Sequence, residues 1–333
     1  MDFSLKKIVI FVLVGLLVGL LLLGGIGYLI VNTFTAQPQK ANENIAVINV
    51  SGPIVSGGSS SFLGEVQANA NEIMRQINRA KEDDTVKAIL LKVNTPGGSS
   101  AASDAIYREL KKFKKSGKPI VVSMGDVAAS GGYYVSAIAD TIYANPATIT
   151  GSIGVIMQFQ NLEELYNKIG VRPVTFKSGP YKDMGSPSRD LTEEEKEILQ
   201  NMIDRIYEEF VDVVVEGRGM SKEKVKEIAN GRIYTGKKAK ELGLVDKLGT
   251  FYDARDKTAK LAGIEGKPNL IYYNQSSPLK RLLSSVTQLI TYTIFEENVK
   301  SNLKLNSNTK QELYKKLLIE QQNNYLQDLQ LQY

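Results

Sequence analysis

The chain contains no histidine and no cysteine. Without cysteine there are no disulfides and no thiol catalysis. Without histidine as well, zinc-finger spacings and histidine-ligated metals are excluded, and only carboxylate metal sites remain. The missing imidazole also removes the familiar general base, and a serine hydroxyl is a weak nucleophile until some neighbour takes its proton. Any serine chemistry here must run on another base. Neither sign of charge dominates: 41 Lys and Arg stand against 36 Asp and Glu, a net +5. The lysines are scattered among acids rather than gathered in an arginine-rich stripe, which argues against nucleic acid as a partner. With 333 residues, 43% of them hydrophobic, the chain can bury one large core, so one main domain with appendages is expected.

One long hydrophobic run is present. From Ile8 to Val31 no charged residue occurs over 24 residues, enough at about 1.5 Å per residue to cross a hydrocarbon layer of roughly 30 Å. The expectation is one transmembrane helix over 8–31 within an N-terminal segment 1–31. A cleaved signal peptide is the competing reading, but its apolar core runs to about 7–15 residues, and the A-x-A spacing fails because Phe34 stands two before Ala36. Lys6 and Lys7 precede the run and no further cation follows until Lys40. The positive-inside rule therefore puts the N-terminus in the cytoplasm and the chain after about residue 32 outside. Residues 32–44 read as a polar linker and 45–275 as the main domain. The tail, 276–333, is amphipathic at 278–295 and then rich in glutamine and asparagine; it either docks on a neighbouring subunit or stays mobile.

Within the main domain, "IAVINV" (45–50) is a short β-rich run closed by Ser51, Gly52 and Pro53. Val66, Ala70, Ile73, Ile77 and Ala80 recur at spacings of four and three, the stripe of an amphipathic helix. "VKAILLKV" (86–93) and "PIVVSM" (119–124) are nearly continuous β-prone runs, as strands covered on both faces are. Between them "SDAIYRELKKFKK" (103–115) reads as helix. This alternation predicts an α/β fold with a mostly parallel sheet. Further on come β-like "TIYA" (141–144), the glycine-broken "TITGSIGVI" (148–156), a helix near 161–169, "RPVTF" (172–176) and the polar "KSGPYKDMGSPSRD" (177–190). Thr192 and Glu195 make a capping box for a long helix with Ile198, Met202, Ile206 and Phe210 on one face, ended by Gly217 and Gly219. Short helices and one more strand, "NLIYY" (269–273), follow.

Three small-residue turns fall where strands of such a sheet end: "NTPGGSS" (94–100), "AASGGYY" (128–134) and "TGSIG" (150–154). Ligand sites in α/β sheets gather at the carboxyl ends of strands, so the three can share a pocket. Taken singly, each has an ordinary explanation: a Pro-Gly turn, a close-packed helix start, a bulge. Only their joint placement argues for a site. Ser130 nearly fits the nucleophile elbow G-x-S-x-G, with Ala128 for the first glycine and Gly132 as the second. The Gly131 amide would then face an oxyanion, with a second donor from Gly97 or Gly98. Phosphate-cradling loops do not fit, because neither G-x-x-x-x-G-K-[ST] nor G-x-G-x-x-G follows the predicted strands. The base is then a carboxylate, or a lysine whose pKa burial lowers from about 10.4 toward neutrality. Lys177 and Lys182 are the lysines of the polar segment. Both can be solvated loop residues, and Asp183 beside Lys182 favours the charged form.

In this order behind the N-terminal anchor, "NTPGG", "DVAASGGYYVS", "ITGSIGV", "KSGPYKDMGSPSRDLT" and "GRIYTGKKAKELGLVDKLG" (231–249) resemble the signal peptide peptidase A family of bacterial serine peptidases, peptidase family S49, in its short single-repeat form. The resemblance covers about residues 45–265. It implies a ClpP/crotonase-like α/β fold of repeated ββα units with a mostly parallel sheet, plus the one transmembrane helix, and makes 45–275 the catalytic domain. It implies a Ser-Lys dyad, with Ser130 as nucleophile, Lys182 as general base and Lys177 as a bystander. Gly97 and Gly131 would supply the oxyanion amides, and Ser152 would hydrogen-bond the Lys182 amine to orient it. A homo-oligomer is implied as well, a membrane-facing ring or dome of about eight subunits, with the dyad built within or between them and with neither metal nor cofactor.

The expected function is a membrane-anchored serine endopeptidase at the outer face of the bacterial cytoplasmic membrane, degrading remnant signal peptides and other peptides through shallow apolar pockets. Two alternatives differ in class. One is a crotonase-like acyl-thioester enzyme, in which paired glycine amides hold an enolate, Ser130 is dispensable and a basic patch binds CoA. The other is a non-catalytic, oligomeric membrane scaffold in which "AASGG" is tight packing alone.

Overall fold

The computed structural model describes residues 43–57 and 66–273. The expected span at 8–31, nearly all of the linker and the tail 276–333 lie outside the described residues. Among the described residues no helix is long and apolar enough to cross a membrane. In chain order the strands are β1 (Asn44–Ser51), β2 (Ile54–Val55), β3 (Ala68–Asn69), β4 (Val86–Thr95), β5 (Ile120–Ala129), β6 (Thr141–Ala144), β7 (Ile149–Gly151), β8 (Ile233–Thr235), β9 (Lys247–Leu248) and β10 (Asn269–Tyr272). The helices are α1 (Ala70–Glu82), α2 (Ser100–Lys114), α3 (Gly131–Ser136), α4 (Glu163–Ile169), α5 (Glu193–Arg218), α6 (Lys222–Ile228), α7 (Gly236–Glu241) and α8 (Phe251–Leu261).

Eight strands form one sheet in the order β10-β1-β4-β5-β6-β9, with β7 beside β5 and β8 beside β7. Its pairings are parallel except that of β7 with β8. The continuous apolar runs explain why the sheet is covered on both faces. Ala46, Ile48, Ile89, Leu91 and Val93 join one core with Ile73 and Ile77 of α1 and Ile106, Leu110 and Phe113 of α2. Ile45, Val47, Ala88 and Leu90 alternate with them into a second core under Ala254 and Ala259 of α8. A central strand buried this way has no polar face.

Helix ends follow local chemistry. Helix α1 starts at Ala70 because Asn69 Oδ1 accepts the Glu72 N–H at 3.2 Å. Val66, expected to begin its stripe, precedes the helix and is 52% exposed. The capping box of α5 forms as expected: Glu195 N–H donates to Thr192 Oγ1 at 3.2 Å and Thr192 N–H to Glu195 Oε2 at 2.9 Å. Gly219 closes that helix in the left-handed region, φ 62.

Gly217 does not end the helix but lies inside it, where a Cβ would stand 2.1 Å from the Ala137 carbonyl oxygen beyond α3. Helix propensity alone favours Gly217→Ala by about 0.5–1 kcal/mol. Overpacking against a backbone oxygen outweighs this, so the variant is expected to lose about 1–3 kcal/mol, read as a lower thermal midpoint; a raised midpoint would show that α5 does not press on Ala137 in solution.

Two differences from the sequence reading concern the site edge. Strand β5 does not stop at Met124 but runs to Ala129. Val93 pairs with Met124 and Thr95 with Ala128, so β4 advances two residues while β5 advances four, and two residues bulge out. Asn94 holds the bulge, its Oδ1 accepting the Val127 N–H at 3.1 Å. Before the bulge β5 pairs with β6, and after it with β7. The other difference is "RPVTF", which forms no strand; Val174 and Phe176 are 77% and 95% exposed. Among the described residues no strand pairs with it, and β-propensity expresses itself through neighbours.

Candidate active site

The three small-residue turns meet at the carboxyl ends of β4, β5 and β7. The turn after β4 carries Gly97 and Gly98, the step from β5 into α3 carries Ser130 and Gly131, and β7 ends at Gly151 before Ser152. Ala129 pairs with Gly151, and the Ser130 N–H donates to the Gly151 carbonyl at 2.9 Å. Ser130 stands between strand and helix at φ 50, ψ −119. Among the described residues, the non-glycine residues with positive φ are Ser130 and Ser152, both at φ 50. Such a conformation costs on the order of 1–3 kcal/mol and concentrates at functional sites. Here it turns a half-buried serine out of the sheet, its hydroxyl without a hydrogen-bond partner among the described residues.

The glycines around Ser130 are required by packing. A Cβ on Gly97 would fall 2.8 Å from both the Gly131 nitrogen and Ser130 Cβ, one on Gly131 would fall 2.4 Å from Ser103 Oγ, and one on Gly132 would fall 2.7 Å from Thr95 Cγ2. The two glycines of "TPGG" differ in what their amides do. Gly97 N–H donates to Thr95 Oγ1 at 3.0 Å, whereas Gly98 N–H donates to nothing among the described residues. The Gly98 nitrogen lies 3.4 Å from where a Cβ on Gly131 would be. Thr95, fully buried, was not singled out by sequence, because its role rests on a side-chain bond to a residue two further on.

Lys182 sits in the turn 177–190 and is exposed. Its one hydrogen bond among the described residues is that of its own N–H to the Gly179 carbonyl, 3.3 Å. Among the described residues no hydrogen bond joins it to Ser130 or Ser152. Lys177 is differently placed: its Nζ reaches Asp183 Oδ1 at 2.8 Å and the Pro180 carbonyl at 3.1 Å. Asp183, expected from its position to favour the charged form of Lys182, turns instead to Arg189 and Lys177. Arg189 donates through Nε to Asp183 Oδ2 at 3.1 Å and through Nη2 to Asp183 Oδ1 at 2.8 Å. The Arg189 guanidinium, and after it the Lys177 amine, hold the Asp183 carboxyl well below the usual carboxylate range. Arg189 also bonds both oxygens of Glu195, at 2.6 and 2.8 Å, and together with the Thr192 N–H lowers that carboxyl to about 2.

Residues 112–265 match peptidase family S49, and residues 60–153 match Clp protease. A protein of Enterococcus faecium named as a signal peptide peptidase SppA is 40% identical over 243 residues, 73% of this chain and 71% of that one. A protein of Synechocystis sp. named as a protease is 43% identical over 254 residues, 76% of this chain and 87% of that one. The chain belongs to peptidase family S49. Protease 4 of Haemophilus influenzae is 40% identical over 219 residues, 66% of this chain and 35% of that one, so the S49 unit here corresponds to part of a longer relative.

Membership in S49 settles the reaction class. The protein is a serine peptidase on a ClpP-like α/β fold, which sets aside both the acyl-thioester enzyme and the non-catalytic scaffold. At the ends of β4, β5 and β7 the structure gathers Ser130, Gly131 and Gly98, whose amide donates to nothing among the described residues.

Proposed function

We propose that this S49 peptidase is a membrane-anchored endopeptidase in which Ser130 is the nucleophile and Lys182 the general base. The observation that carries the reading is the strained elbow at Ser130, where the three turns converge. Lys182 takes the Ser130 Oγ proton, Oγ attacks the scissile carbonyl, and the tetrahedral oxyanion is held by the Gly131 amide and a second amide. The Lys182 ammonium then protonates the leaving amine, and a water activated by Lys182 releases the acyl group. For the second donor, Gly98 fits better than Gly97, whose N–H is spent on Thr95. Gly97 serves by letting the backbone pass close to Ser130 and Gly131. Ser152, next to the carbonyl that accepts the Ser130 N–H, orients the amine.

Lys182 makes no hydrogen bond to Ser130 among the described residues, which favours a dyad built between subunits. A lysine acts as base near neutral pH only where surroundings disfavour its charge, and Lys182 is exposed in the single chain. In the stretch of chain before it, Ile156, Ile169, Val174 and Phe176 are exposed as well, apolar side chains that a partner could cover. A homo-oligomer, a ring of about eight in this reading, covers these residues and brings Lys182 of one copy to Ser130 of the next. Residues 8–31 anchor it with the catalytic domain, 45–275, outside the cytoplasmic membrane, where it degrades remnant signal peptides and other peptides. The test mixes two silent chains: Ser130→Ala and Lys182→Met, dissociated and reassembled together, regain a fraction of wild-type hydrolysis. Failure of the mixture despite verified co-assembly would place the dyad within one chain.

A further inference from the structure

The turn 177–190 and the first turn of α5 carry five carboxylates, and each is occupied. Asp183 holds Arg189 and Lys177, and Glu195 holds Arg189 and the Thr192 N–H. Asp190 accepts from Asn161, Glu193 pairs with Lys196 at 2.7 Å, and Glu194 accepts the Tyr181 hydroxyl. None of them is bound to Lys182. Asp183 matters most, because it is next in the chain and is the carboxylate best able to pair with the Lys182 ammonium. Both of its oxygens are engaged, in a cluster where the Asp183 and Glu195 side chains are 14% and 2% exposed. Two cations meet two carboxylates, the cluster is neutral, and Lys182 is the amine of the turn that pairs with no carboxylate among the described residues.

We propose that Arg189 and Lys177 are positioning residues that hold the Asp183 carboxylate away from Lys182, leaving the neighbouring amine free to give up its proton. This rests on the reading of Lys182 as the base. An opposite charge within about 4–6 Å favours the charged form by one to three pKa units. A freed Asp183 would therefore raise the pH at which Lys182 becomes a base. Arg189 carries more of the task, since it grips both oxygens of Asp183 and is itself fixed by Glu195, whereas Lys177 reaches one oxygen. The sequence shows the polar residues but not the pairing.

The test measures the rate at which a serine-reactive phosphonate labels the full-length protein between pH 6 and 10. In Arg189→Met the midpoint of the rising limb moves up by about one unit, about tenfold slower labelling below the limb, while the plateau at high pH changes little. Adding Asp183→Asn to Arg189→Met brings the midpoint back to the wild-type value or lower. Lys177→Met, which disturbs the cluster least, moves it the same way by less and serves if Arg189→Met fails to assemble. A uniform fall in rate at every pH, or a midpoint that Asp183→Asn does not restore, overturns the proposal and leaves the base assignment standing. Lys182→Met labelled with a wild-type limb would instead remove the base assignment, and the proposal with it.

Discussion

Ser130→Ala is expected to reduce hydrolysis of a fluorogenic leucine or alanine peptide by roughly 10⁴–10⁶-fold, the scale on which removal of a nucleophile acts in serine peptidases. It should abolish phosphonate labelling altogether. The structure makes this a clean experiment. Ser130 Oγ has no hydrogen-bond partner among the described residues, so its removal orphans nothing. Alanine at φ 50 carries the same backbone strain as serine, so thermal stability should stay within about 0.5 kcal/mol of wild type. A silent variant that assembles and melts like the wild type isolates chemistry from folding. Retained hydrolysis would mean that the elbow is a packing device and that another serine acts.

Why the elbow could be read from sequence, and its surroundings only partly, has a physical basis. Continuous apolar runs such as 86–93 and 119–124 identify buried strands because a strand covered on both faces has no polar alternation to disguise it. The small residues of "AASGGYY" are legible for the same kind of reason: side chains of Ser103 and Thr95 crowd Gly131 and Gly132, and few other residues fit. The extension of β5 through Gly125 and Asp126 was not legible, since the β-prone run stops at Met124. What keeps them in the strand is Asn94, on the neighbouring β4. Gly217 likewise looks like a helix stop until the Ala137 carbonyl lies against it.

The same limit applies inside the site. Sequence offered both Gly97 and Gly98 as donors, and the choice turns on one hydroxyl, Thr95 Oγ1, which takes the Gly97 N–H. Adjacency in sequence paired Lys182 with Asp183. Neighbouring residues in a turn need not point the same way, and Asp183 is instead captured by Arg189, six residues on. Residue types and small-residue turns therefore show where groups gather, while side-chain hydrogen bonds even two or six residues along the chain decide which atoms stay free. The surface around Lys182 was legible least, because what covers it in this reading is another copy of the chain.

Lys182→Met provides the second large expected effect, a loss of roughly 10⁴-fold or more in acylation. Methionine keeps the length and apolar stem of the side chain and deletes the amine. No salt bridge or side-chain hydrogen bond within the chain goes with it, since Lys182 makes none among the described residues, so folding of the single chain should be unaffected. Lys177→Met is the paired control: its amine is bound to Asp183 and the Pro180 carbonyl, so near the wild-type plateau that variant should cleave within about threefold of wild type. The pH profile supplies the sign. A lysine base is active when deprotonated, so pre-steady-state acylation in the wild type rises with pH, and the limb disappears in Lys182→Met. A wild-type profile flat from pH 6 to 9 would count against any lysine. Activity that survives in Lys182→Met but not in Lys177→Met would move the base five residues upstream, to an amine that must first release Asp183.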